Sequence, residues 1–257
     1  ERGLEEGLLA EGTLRNWINK YESSSSEDVY SHEFIDAYNQ YAQKQILPAL
    51  NVRPNIHILD CSEIEVHLNN GNYEHSAVIK DQAGPRRGYK NGTLRGIMKD
   101  TGLLEEIKLG SIKIHDLELC RNMLLTSESL KPGDILINDR GFLSRTVMNT
   151  LKATRGVDTY VPVRKNMDVY TTAVSVANEQ NKWQKHPNLN RKTQRIAFVG
   201  ELGPYWQSDT PKNDVPLNAC VVHDSKEDEY FVFVTTDTSK TAKQIIKIYE
   251  IRPEIEE

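Results

Sequence analysis

Two short apolar runs that each end in aspartate constrain this 257-residue chain more than any other feature: IHILD at 56–60 and ILIND at 135–139. Ile135, Leu136 and Ile137 follow one another without a polar break, the pattern of a strand covered on both faces. IHILD continues into SEIEV, so on a two-residue period Ile56, Ile58, Asp60, Ile64 and Val66 share one face. Asp60 thus breaks an apolar stripe, which is costly unless a cation or hydrogen bonds compensate. A turn satisfied by Asp60, or an ion pair between Asp139 and Arg140, would be the structural reading of these acids. Carboxylates gathered at the carboxyl ends of neighbouring strands would be the functional one, because ligands of open sheets commonly sit there.

Around these runs the pattern alternates. A serine run, Ser23 to Ser26, precedes a helix capped by Ser31, with Phe34, Ile35, Tyr38, Tyr41, Ala42 and Ile46 on one face. The stretch Gly88 to Ile114 reads as antiparallel hairpin strands turning at Asn91-Gly92 and at Asp100-Thr101-Gly102. Asp116 is expected to cap a helix through Leu117, Cys120, Met123 and Leu124 that Lys131-Pro132-Gly133 stops. A helix with Val147, Met148 and Leu151 inward precedes a strand at 159–163. RIAFVGEL, NACVVHD and YFVFVTT read as further strands, and a last helix starts near Ser239 and carries Ile245, Ile246 and Ile248. Antiparallel strands followed by strand and helix alternation give an α/β class, a mixed sheet with helices on its faces.

Composition narrows the function. Hydrophobic residues are 38%, charged residues 27%, and the formal charge is -5, which excludes intrinsic disorder, collagen-like repetition and an extreme nucleic-acid tail. No run approaches the length of a membrane span, and the opening ERGLEEGLLAEG is charged where a secretory signal is apolar. Cys61, Cys120 and Cys220 lie far apart with no C-x-x-C pair, against a zinc knuckle or a disulfide framework. A reducing, intracellular compartment is expected. The basic stretch Arg164 to Arg195 holds seven basic residues against two acids. With Trp183 inside it and Tyr205 and Trp206 after it, the stretch could follow a DNA backbone or form a solvated loop over buried tryptophans. Arg86, Arg87 and Lys90 form a second candidate phosphate contact.

The blocks IHILDCSEIEV, GYKNGTLRGIMKDTGLLEEIKLGSIKIHD, ILINDRGF and IYEIRPEIE, in this order, resemble the bacterial insertion-sequence DDE transposases of the cut-and-paste group. The last block fits the pattern Y-x2-R-x3-E through Tyr249, Arg252 and Glu256, and Pro253 stands where many relatives carry Trp. The resemblance spans about residues 51 to 257. It implies an RNase H-like α/β fold interrupted by a β-rich insertion. The parts would be a helical region, 1–50, a first core part, 51–164, the insertion, 165–229, and a second core part, 230–257, cut short of the family's usual end. It further implies that Asp60, Asp139 and Glu256 are the catalytic triad holding Mg2+ or Mn2+, two ions in all, with Tyr249, Arg252, Arg140, Arg164, Lys165 and Trp206 as DNA contacts. The implied activity is strand cleavage at transposon ends and strand transfer into target DNA, by a homodimer in the bacterial cytoplasm at the nucleoid. A metal nuclease of the same fold without strand transfer, or an inactive DNA-binding remnant, are the alternatives.

Overall fold

A computed structural model describes residues 35–50, 52–69, 73, 75–98 and 101–252. The serine run, Ser31, Phe34 and Glu256 lie outside the described residues. Helix α1 covers 35–49 and includes a π-helical turn at Ala42–Ile46. Its Asn39 side chain bonds both ways with the backbone of Ile107, and Tyr38 donates to Leu104 O, so this face is seated on a sheet edge.

The rest is one mixed sheet of ten strands with helices on both faces, the RNase H-like architecture. In chain order it comprises β1 (Ile56–Val66), β2 (Ala77–Asp81), β3 (Gly84–Met98), β4 (Thr101–Ser111), α2 (Asp116–Thr126), β5 (Ile135–Asn138), α3 (Arg145–Arg155), β6 (Asp158–Pro162), α4 (Asp168–Gln180), β7 (Gln184–Lys185), β8 (Gln194–Val199), β9 (Asn218–Asp224), β10 (Glu229–Thr235) and α5 (Ala242–Tyr249). The spatial order is β2-β3-β1-β5-β6-β10-β9-β8-β7, with β4 sharing the β3 edge with β2. Two pairings, β1 with β5 and β5 with β6, are parallel. The strands that follow β6 extend the sheet from its far side through antiparallel pairs.

Alternation divides the core. Leu59, Leu136 and Val161 face one side, where α2, α3 and α4 pack through Met123, Leu151, Met148, Val169 and Ala173. Ile58, Ile137 and Tyr160 face the other, where α5 contributes Ala242, Ile245 and Ile246. α5 is fixed at its start by a capping box between Thr241 and Gln244.

Several local expectations change. Asn91-Gly92 is no turn: β3 runs unbroken for 15 residues, and Gly92 sits opposite Cys61 and Lys108. Glycine is needed there because a Cβ would stand 2.3 Å from Cys120 Sγ, on the helix laid across the strand. The hairpin reverses instead between Met98 and Thr101, which pair with each other. The cap of α2 is His115, whose ring accepts from Leu117 N, and Asp116 is the first helical residue. α2 ends at Thr126, well before Lys131-Pro132-Gly133, and α5 begins at Ala242, a little after Ser239. The segment 165–229 holds the strands β7, β8 and β9 but also the helix α4, whose Val169, Ala173 and Ala177 recur every four residues against the core. Its Thr and Val content hides that period in the sequence, and Asn181, in the left-handed region at φ 50°, closes it.

Candidate active site

The parallel register of β1 and β5 sets the site. His57 lies opposite Leu136 and Leu59 opposite Asn138, so the next step along both strands brings Asp60 level with Asp139. Both acids follow the isoleucines of the α5 face, Ile58 and Ile137, by two residues. Asp60 and Asp139 keep 34% and 37% of their side chains exposed. Asp139 Oδ1 also accepts from Gly141 N at 2.6 Å, which fixes the short turn Arg140–Phe142 after β5.

Between the two acids stands Arg252, just beyond the end of α5. Its Nη2 is 3.1 Å from Asp60 Oδ1 and 3.9 Å from Asp139 Oδ2, and its side chain is 17% exposed. One guanidinium nitrogen is thus shared by two carboxylates, a charge-assisted contact that offsets their repulsion. Tyr249, three residues earlier, packs its ring on Phe233 at 4.5 Å between centroids. Burial, reinforced by the Asp139 charge, pushes the Tyr249 hydroxyl above its ordinary value even though Arg252 opposes the shift.

A cleft of about 330 Å³ opens beside these groups. Asp139, Arg140, Lys165 and Arg252 give it charge, and Tyr170, Tyr230, Phe231, Phe233 and Tyr249 give it aromatic walls. Tyr170 is held by a hydrogen bond from its hydroxyl to Tyr230 O at 2.8 Å. Lys165 pairs with the exposed Glu229 at 2.9 Å, a contact that solvent weakens. Arg164 reaches Arg140 O at 3.4 Å but lines a neighbouring hollow, together with Trp206, Arg145, Met167 and His115. Asp60, Asp139, Tyr249, Arg252, Arg140 and Lys165 are therefore gathered at one place, and Arg164 and Trp206 stand at the next.

Much of the remaining basic charge has structural partners. Arg191 binds Glu250 at 2.7 Å, and Arg195 lies 4.5 Å over the Trp183 ring and donates to His223. Arg86 is engaged by Asp81, Glu63 and Glu65, Arg87 by Leu68 O and Ser76, and Lys90 by Asp116 at 2.6 Å. Arg86, Arg87 and Lys90, the second candidate phosphate contact, are thus each engaged within the protein.

Asp116 is the acid that sequence reasoning placed only as a helix cap. A Cβ built on Gly141 would lie 2.5 Å from Asp116 Oδ2 and 2.9 Å from Asp139 Oδ1, so Asp116 backs the turn that carries Asp139.

Hard divalent cations prefer carboxylate oxygen, and two acids level on adjacent strands suit them in donor chemistry. The position of Arg252 adds an observation to that: positive charge is already accommodated between Asp60 and Asp139. Among the described residues no group of three or more His, Cys, Asp or Glu is arranged to hold a metal ion, and Glu256 lies outside them. Among the described residues, too, no helix is long and apolar enough to cross a membrane.

No curated protein matches the sequence at a significant level. The family described as Transposase DDE domain matches residues 53–257, from just before β1 through the last residue. With the RNase H-like sheet and two of the three acids standing side by side, the chain belongs to the transposase DDE domain family, of the insertion-sequence type.

Proposed function

We propose that this transposase cleaves DNA strands at transposon ends and joins the freed 3′ ends to target DNA, using Asp60, Asp139 and Glu256 to hold divalent metal. The observation that carries this reading is the in-register placement of Asp60 beside Asp139 on adjacent parallel strands. When bound, Mg2+ or Mn2+ supplies positive charge to the attacking and leaving oxygens of an in-line displacement at phosphorus.

The chain's own groups do the rest. Asp60 and Asp139 offer oxygens that remain open to solvent, and the Gly141 N–H holds the Asp139 carboxylate in one rotamer. Arg252 compensates the paired negative charge before DNA arrives, which keeps the two acids close. Arg140, Lys165 and Arg252 present cations along the cleft to the phosphate backbone, with Arg164 and Trp206 extending that path into the next hollow. The aromatic wall of Tyr170, Tyr230 and Tyr249 excludes water from one side of the scissile group and offers faces on which a base can stack. Cleavage and joining are the same displacement with different nucleophiles, water first and then a 3′ hydroxyl, so one pair of acids serves both through positioning. A homodimer in the DNA complex would hold two ends at once.

The test uses the full-length protein, Mg2+ and a labelled duplex bearing the ends of its own element. The wild type yields nicked ends and joined product. Asp139→Asn folds normally and yields neither. Retained cleavage by Asp139→Asn refutes the assignment, and cleavage without joined product reduces the activity to that of a nuclease.

A further inference from the structure

Two of the three free cysteines meet where β1 passes under α2. Cys61 follows Asp60 directly and points to the opposite face of the sheet, toward α2. Its Sγ is 3.8 Å from the Sγ of Cys120, which is buried in α2. The room for this contact comes from Gly92, the β3 partner of Cys61: a side chain there would strike Cys120 Sγ at 2.3 Å and Cys61 Sγ at 3.4 Å. Cys61 is partly exposed, whereas Cys120 and Cys220 are buried.

We propose that Cys61 and Cys120 are a dithiol modification site, oxidised by small organic disulfides to an internal disulfide that ties β1, beside Asp60, to α2. The Cys61 thiolate attacks one sulfur of the reagent and expels one small thiolate, leaving a mixed disulfide on Cys61. The Cys120 thiolate then attacks Cys61 Sγ, forms the protein disulfide and expels the second small thiolate. Two protein thiols are oxidised, the reagent is reduced to two thiols, and the two cysteine protons end on them.

Closing the sulfurs from 3.8 Å to a bond of about 2.05 Å fixes Cys61 to Cys120. α2 carries Cys120 and, one turn earlier, Asp116, which backs the Asp139 turn. The cross-link thus joins the residue next to Asp60 to the helix behind Asp139. Misplacement on the scale of 1 Å slows positioned chemistry by up to about a hundredfold, so the cross-linked protein cleaves DNA at least about tenfold more slowly and recovers on reduction.

The experiment incubates the reduced full-length protein with glutathione disulfide, then counts thiols after unfolding and maps unreduced peptides by mass spectrometry. Two of three thiols disappear and a peptide joining Cys61 to Cys120 forms, while Cys220 stays reduced. In Cys120→Ser the glutathione remains on Cys61, and in Cys61→Ser nothing is modified. Three surviving thiols in folded protein, or a stable glutathione adduct on wild-type Cys61, overturns the site. Full cleavage activity of the cross-linked form overturns its link to Asp60. Peptide mapping does not depend on DNA cleavage, so failure of the transposase chemistry and failure of the dithiol proposal are told apart.

Discussion

Replacing His57 by leucine tests whether a buried charged cluster sets the register on which the site depends. His57 lies on β1, fully buried, with Nδ1 2.7 Å from Glu105 Oε2 and Nε2 3.1 Å from Asp134 Oδ2. Arg53 completes the group with a bidentate contact to Asp134 at 2.5 and 2.8 Å. Asp134 immediately precedes β5, so the ring ties β1 to the start of its parallel partner, three residues before Asp60. Burial alone would push the ring down, but hydrogen bonds to Asp134 and Glu105 outweigh it and lift His57 above its ordinary value. Burial alone would likewise raise Asp134, yet His57 and Arg53 hold it at about 2.

In His57→Leu, Asp134 keeps Arg53 while Glu105 Oε2 loses the ring, leaving a buried carboxylate uncompensated. Removing one partner from such a group costs about 3–5 kcal/mol, which for a chain of this size lowers the melting temperature by roughly 6–20 °C. The sign with pH follows from the two shifts. A raised histidine contributes fully below its unfolded value, about pH 6.5, and its contribution is lost as pH rises through the folded value. A depressed aspartate contributes above about pH 4 and its contribution is lost as pH falls toward 2. The stability gap between wild type and His57→Leu is therefore widest between about pH 4 and 6.5. Urea unfolding of both proteins across this range measures it. A gap below about 1 kcal/mol, or one that grows steadily above pH 7, refutes the reasoning.

Three further outcomes are expected. Gly141→Ala places a methyl between Asp116 Oδ2 and Asp139 Oδ1, so cleavage falls by about tenfold to a hundredfold while circular dichroism stays unchanged. Tyr160→Phe removes a buried hydroxyl that donates to Asp237 Oδ2 at 3.0 Å, costing about 1–3 kcal/mol in urea unfolding. Chelation of divalent cations by EDTA stops cleavage and Mg2+ restores it, whereas the melting temperature in the absence of DNA changes little, because Arg252 still bridges the acids.

Local pattern made part of this structure legible. β1 and β5 were readable because their apolar runs are short, β-branched and closed by aspartate, and the helix α3 was readable from Val147, Met148 and Leu151. Asp60 stood out as a break in a stripe, and the parallel pairing gives that break its reason. Other features have no local signature. Asn91-Gly92 carries a turn signal, but long-range packing of Cys120 over Gly92 overrides it. The partners of His57 lie 48 and 77 residues away, and nothing near any one of them announces the cluster. Arg252 meets Asp60 across 192 residues, and only the family pattern pointed to it. α4 was hidden by β-branched residues whose helical spacing pays off only against the sheet.

Asp60 and Asp139, level on neighbouring strands, are proposed to form a site for a divalent cation. Titration of Mn2+ followed by electron paramagnetic resonance, with wild type, Asp60→Asn and Asp139→Asn side by side, measures this without requiring turnover. The wild type quenches the free Mn2+ signal, and either substitution weakens binding by at least about tenfold, as loss of a ligand or its support does. Equal Mn2+ affinity in all three proteins would contradict the proposed site.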